Sequence, residues 1–174
     1  MRWNIDGSHS TAEFSVRHLM ITNVKGRFGT LSGTVDYDPE KPEASQIDVT
    51  IDATSIDTRD EKRDAHLRSA DFFDVEKFPT LTFKSTEVKK TGDGFTALGN
   101  LTMHGVTKPI ALEIEGPSDA TKDPWGNTRI GASATAKINR KEWGLNWNAA
   151  LEAGGVLVGE TVKISLEISL VKAA

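Results

Sequence analysis

The sequence predicts an all-β chain: an eight-stranded antiparallel β-barrel with one short α-helix, about residues 59–69, packed beside it. Three observations carry this prediction. Apolar and polar residues alternate at period two in eight segments, the pattern of strands with one face buried and the other wet. One segment breaks that pattern with helix signals. Eight meandering strands can form a sandwich or a closed barrel, and closure removes the edge strands that a sandwich must guard.

At 174 residues the chain fits one domain, residues 1–174, around a single core. Apolar side chains at 37%, 15 glycines and 26% charged residues are globular proportions and exclude a disordered chain. The net charge is −4 and Lys and Arg are scattered, so no cationic stripe awaits phosphates and nucleic acid is not an expected partner. With no cysteine, stability owes nothing to disulfides, and thiolate metal sites and thiol nucleophiles are excluded. No apolar run approaches bilayer-spanning length, and MRWNIDGSHS lacks the apolar stretch of a leader. As written, a soluble cytoplasmic protein is expected, or a periplasmic one if a leader preceded Met1.

The strands follow in order. Ala12, Phe14, Val16 and His18 share one face of residues 11–19, with Glu13, Ser15 and Arg17 on the other. Leu31, Gly33, Val35 and Tyr37 mark the second strand, and Ile47, Val49, Ile51 and Ala53 the third. Leu81 and Phe83 lie in residues 80–88, and an Asp93–Gly94 turn leads into Phe95, Ala97, Gly99, Leu101 and Met103. Ile110, Leu112 and Ile114 follow Gly105, and a turn-rich stretch separates them from Ile130, Ala132, Ala134, Ala136 and Ile138. The last strand alternates most cleanly, with Val162, Ile164, Leu166, Ile168 and Leu170 on one face.

Helix signals lie at Thr58 and Glu61, spaced as a capping box, with acids in the first turn and Arg68 in the last. Leu67, Phe72, Phe73 and Phe78 form the apolar anchor that docks this helix on the barrel. Arg63, Asp64 and His66 admit two readings. One is a solvated face with an ion pair worth ~0.5 kcal/mol; the other is a polar rim that meets a ligand head group.

An eight-stranded barrel is either filled by side chains or just wide enough for one ligand. Small inward residues decide between them: Ala132, Ala134 and Ala136 alternate on one strand, and Gly33, Ala97 and Gly99 sit on two others. They leave space, unless close backbone packing uses it. The expected tunnel wall comprises Phe14, Val16 and His18; Leu31 and Val35; Val49, Ile51 and Phe83; the three alanines; and Ile164 and Leu166. Trp143 and Trp147 join it from the long connection 139–157, which reads as plain core or as a gate.

Chemistry beyond binding finds little support. His9, His18, His66 and His104 lack zinc-ligand spacing, so no metal is expected. There is no GxSxG, P-loop or GxGxxG, and Ser133 in GASAT lacks the second glycine. His18 reads as a satisfied inward histidine, or as an acid or base working with Asp64 on a bound lipid. No catalytic residue is assigned.

The strings WNIDGSHSTAEFSVRH, FGTLSGTV, SIDTRDEKRDAHLRSADFFDVEKFP, GNLTMHGVTKPI, INRKEWGL and VGETVKISLEI, in this order and spacing, resemble the YceI-like polyisoprenoid-binding family over nearly the whole chain. The resemblance implies a lipocalin-like barrel of bacterial origin, with a deep apolar tunnel for a polyisoprenoid, quinone-like or fatty chain. The resemblance carries over no catalytic residue and no single physiological role; the leading expectation is carriage, storage or sequestration of that ligand without enzymatic activity, with no cofactor other than the bound lipid. Many members of that family carry a secretory leader and work in the periplasm. The expected partner is a small-molecule lipid, and the reading leaves room for transient membrane contact and for a homodimer. The alternatives are a weak lipid-modifying enzyme and a ligand-free scaffold.

Overall fold

A computed structural model describes residues 1–151 and 155–174. Its strands are β1 (Arg2–Ile5), β2 (Thr11–His18), β3 (Thr22–Phe28), β4 (Leu31–Asp36), β5 (Gln46–Asp52), β6 (Ile56–Asp57), β7 (Thr80–Thr91), β8 (Gly94–Met103), β9 (Val106–Glu115), β10 (Thr121–Lys122), β11 (Thr128–Asn139) and β12 (Val158–Lys172). One α-helix, α1, covers Glu61–Arg68.

Eight strands close a ring in the order β11-β9-β8-β7-β5-β4-β1-β12, and β12 returns to β11 through pairs from Arg129↔Val171 to Asn139↔Thr161. The expected eight-stranded antiparallel barrel is the observed one, with extra strands attached. β1 and β2 share the other edge of β12: β1 pairs at Trp3↔Lys172 to Ile5↔Leu170, and β2 from Thr11↔Glu167 to His18↔Val158. Separated by the short Gly7–His9 turn, they act as one bent strand, from which β3 and β6 extend the sheet. On β12 the period-two pattern is obeyed: Val162, Ile164, Leu166 and Ile168 are half-buried while Thr161, Lys163, Ser165 and Glu167 are exposed.

Local chemistry moves several boundaries. The β7–β8 turn falls on Gly92–Asp93, one residue before the expected Asp93–Gly94, because Gly92 supplies the positive φ (58°) that a tight hairpin needs. The helix is shorter than 59–69, and its cap is not the expected Thr58–Glu61 box. Asp60 caps it, accepting from the backbone N–H of Lys62 and Arg63 at 3.1 Å each. The Thr58 hydroxyl is engaged instead with Asp64, donating to it at 2.5 Å. Gly33 and Gly99 do not open space, since a Cβ would collide with Asp48 O and with Lys84 O respectively. They admit a neighbouring strand, and Ala97, fully buried, is packed among Phe83, Val88 and Leu112.

The two ends of the barrel differ. At one end Trp3, Ile130 and Leu170 pack together. Above them the Arg129 guanidinium joins Asp6 and Asp123, both at 2.7 Å. Its hydrogen bond to Asp123 lowers that carboxyl to about 2, and Ser8, Arg129 and His9 hold Asp6 well below the usual carboxylate range. The other end is covered by α1 and by the segment after β11, where the core places Phe28, Ile56, Trp143 and Leu145.

Candidate functional site: an apolar tunnel with a polar mouth

Inside the ring lies a cavity of about 600 Å³, within the ~300–1,000 Å³ range of small-molecule sites. Its wall is almost wholly apolar, and many inward side chains, Ile164, Leu166 and Ile168 among them, remain half-accessible because they face a void. Along β12 the lining runs from Val158 to Leu170. At a ~3.3 Å rise and a strand tilt of ~40°, that corresponds to a tunnel roughly 30 Å long.

Strand parity aims most of the expected wall residues into this tunnel. Phe14, Val16 and His18 of β2, Val35 of β4, Val49 and Ile51 of β5, Phe83 of β7, Ala132 and Ala134 of β11, and Ile164 and Leu166 of β12 all line it, as does Trp147. Three expected wall residues lie outside it. Leu31 is buried where Gly7 closely approaches its carbonyl. Ala136 is packed with Phe83, Val88 and Leu112. Trp143, 1% exposed, belongs to the core, and its indole N–H donates to Leu101 O at 3.0 Å.

The exposed residues of the lining are Glu13, Arg17, Asp60 and Lys62, on β2 and at the start of α1, and they mark the mouth. Around it stand His18, Arg63 and His66. Arg63 is pre-positioned by donating to Thr58 Oγ1 at 2.8 Å and Thr58 O at 2.6 Å. Asp64, expected on the rim with Arg63 and His66, does not line the cavity. It is buried and accepts from the backbone N–H and hydroxyl of Thr58, so the proposed pairing with His18 does not form. His66 lies within 2.9 Å of Asp71, and its ring meets Trp147 edge-on at 4.7 Å and Phe72 at 5.1 Å.

The connection 139–157 is a folded strap, of which residues 152–154 lie outside the described residues. It leaves β11 through a 3-10 turn, Arg140–Trp143, stopped by Gly144 at φ 78°. It then doubles back through an Ala150↔Val156 bridge, and Asn148 holds both the N–H and the carbonyl of Val158. Arg140, 3% exposed, donates to the carbonyls of Gly159, Leu145, Trp147 and Val158. Burial pulls its pKa below the ordinary arginine value, partly offset by Glu160. Nothing in the residue pattern marks Arg140, because a buried arginine satisfied by carbonyls looks like any charge in a polar loop. Arg17 and Lys62 at the mouth were missed for a different reason: both are exposed and look like solvating charges.

Comparison with known proteins gives a consistent result. The protein-family description that matches, over residues 3–170, is the YceI-like domain. A UPF0312 protein of Pectobacterium atrosepticum is 42% identical over 146 residues, 83% of this chain and 74% of that protein. The crystal structure of a Campylobacter jejuni YCEI protein is 31% identical with a TM-score of 0.76, covering 91% of this chain and 90% of that one. A polyisoprenoid binding domain from Saccharophagus degradans, implicated in plant cell wall breakdown, shares the fold at 17% identity and a TM-score of 0.69, covering 98% of each chain.

Proposed function

Since the chain belongs to the YceI-like domain family, we propose that it binds one long-chain apolar or amphiphilic molecule in its tunnel, for carriage, storage or sequestration. A polyisoprenoid, a quinone-like molecule or a fatty chain has the required shape. The carrying observation is the continuous apolar cavity of about 600 Å³ that opens at a polar mouth, where Arg17, Lys62, Arg63 and His66 stand with Glu13 and Asp60. That the Saccharophagus degradans domain of the same fold binds polyisoprenoid favours the first of these ligands.

Burial of chain drives the binding. About ten methylenes at ~0.8 kcal/mol each give ~8 kcal/mol, about what a micromolar complex requires before ordering costs are subtracted, so a chain longer than this is needed to offset those costs without strong polar contacts. The mouth adds orientation: the cations and imidazoles hold the polar end of the ligand in water while its chain fills the barrel. Binding is favoured over catalysis by Asp64, the carboxylate expected to assist His18, being buried and accepting from the Thr58 N–H and hydroxyl instead.

Native mass spectrometry and organic extraction of protein purified from its own organism test this. One long-chain lipid per barrel is expected. A barrel that is empty as purified and also refuses prenols, quinones and fatty acids overturns the reading in favour of a scaffold.

A further inference from the structure

The β2–β3 hairpin carries apolar side chains on the outside of its tip. Leu19, Met20 and Ile21 are consecutive and 39%, 56% and 70% exposed. Leu19 and Met20 both adopt left-handed backbone, at φ 53° and 62°. Asn-Gly is the favoured sequence for this pair of conformations in a hairpin, and bulky apolar residues are disfavoured there. Nothing in the turn itself calls for leucine and methionine.

The tip adjoins the mouth, although none of its three side chains lines the cavity. Arg17 and His18, which directly precede it, line the opening. The Leu19 N–H donates to Leu157 O at 2.8 Å, and Leu157 lines the cavity too. Met20 lies against the strap at Gly155. Arg17, two residues before the tip, and Lys25, four residues after it and paired with Ser15, are exposed cations of the hairpin. Exposed Lys62 of α1 lines the same opening as Arg17, beside the exposed acids Glu13 and Asp60.

We propose that this tip is a membrane-docking surface. Leu19, Met20 and Ile21 enter the interfacial layer of a bilayer while Arg17, Lys25 and Lys62 meet anionic lipid head groups, so that the tunnel opens directly onto the source of its ligand. This rests on the tunnel reading above. An exposed apolar tip with cations on its own hairpin suits a lipid interface. It does not suit a second copy of the chain, since a stable dimer buries ~800 Å² per partner and three side chains on a hairpin tip supply only a fraction of that.

The test is flotation with phosphatidylcholine vesicles, with and without phosphatidylglycerol. It compares wild type with the triple variant Leu19→Asn, Met20→Gly, Ile21→Thr, whose first two changes install the favoured turn sequence. Wild type is expected to float with the anionic vesicles and more weakly with the neutral ones. The variant is expected to lose at least about tenfold in vesicle partition, with an equal or higher Tm and unchanged affinity for a prenol delivered from cyclodextrin without vesicles. Equal flotation of the two proteins, or no flotation of wild type, overturns the proposal. So does loss of a wild-type dimer in the variant at unchanged flotation, which assigns the tip to a second copy. Loss of prenol affinity by the variant alone makes the tip tunnel wall and overturns docking, whereas failure of wild type to bind any prenol sinks the tunnel reading itself.

Discussion

Arg140→Met is expected to lower Tm by roughly 6–12 °C, about 3 kcal/mol at the ~2–4 °C per kcal/mol typical of this chain length. The guanidinium ties the start of the strap to its end. It bonds Leu145 and Trp147 on the way out and Val158 and Gly159 on the return, the last at 2.8 Å. Methionine fills much of the same volume but donates nothing; Val158 O keeps its hydrogen bond from Asn148, while each of the other carbonyls left buried and unpaired costs ~1–3 kcal/mol. Water entering from the mouth recovers part of that loss, which is why the expected total stays near 3 kcal/mol. Arg140→Lys should fall between the two, because one ammonium cannot reach four carbonyls arranged for a planar fork. Trp147 hangs on the same strap, so ligand should also dissociate faster from the methionine variant. Denaturation and stopped-flow release measured on one preparation check both effects. An unchanged Tm would mean that desolvating the guanidinium costs as much as its hydrogen bonds return, and that Trp143 and Leu145 alone hold the strap.

Ala134→Phe is expected to leave Tm within a few degrees of wild type while weakening a long prenol about 100-fold. Ala134 stands between Leu166 on β12 and Ile114 on β9 with its methyl on the tunnel wall. A phenyl ring there takes the place of roughly three to four ligand methylenes, ~2.4–3.2 kcal/mol at ~0.8 kcal/mol each, which is about two decades in affinity. In a filled barrel the same ring would overpack the core at a cost of ~1–3 kcal/mol. Short prenols that end before the obstruction should bind the variant almost normally. A large fall in Tm with unchanged affinity would show that Ala134 packs against Phe83 and Leu112 rather than facing the ligand.

Strand parity was the most legible feature of this sequence. β12 declares itself through five alternating apolar residues, and its inward face is the wall that was expected. β3 was illegible because Gly26 stands in the middle of its inward face. A Cβ there would lie 2.5 Å from the Phe14 ring, so the glycine makes room for a neighbour and erases the apolar pattern. β1, four residues long, is too short to show a period.

The site was legible to the same depth. Alternation says which side chains point inward, and Ala132, Ala134 and Ala136 all do, yet only the first two border the void. A small residue reads the same whether it faces empty space or, like Gly33 and Gly99, another strand's carbonyl. Polar contacts were harder still. The acids near Thr58 announced a helix, but which of them capped it depended on Arg59 taking φ 64° and on Thr58 turning to Asp64. Arg140 becomes conspicuous only when its four carbonyl partners, up to 19 residues away, fold around it.

The central claim is that the barrel's empty apolar interior is the binding site, and the dependence of affinity on chain length tests it most directly. Wild-type protein titrated with a series of prenols that share one head group should gain about tenfold or more per added isoprene unit, since ~1.4 kcal/mol is a factor of ten and five carbons bury more than that gross. The gain should stop once the chain fills the roughly 30 Å tunnel estimated from the strand rise and tilt. Affinity that does not change with chain length from the shortest member onward would place the ligand at the mouth alone and contradict the account.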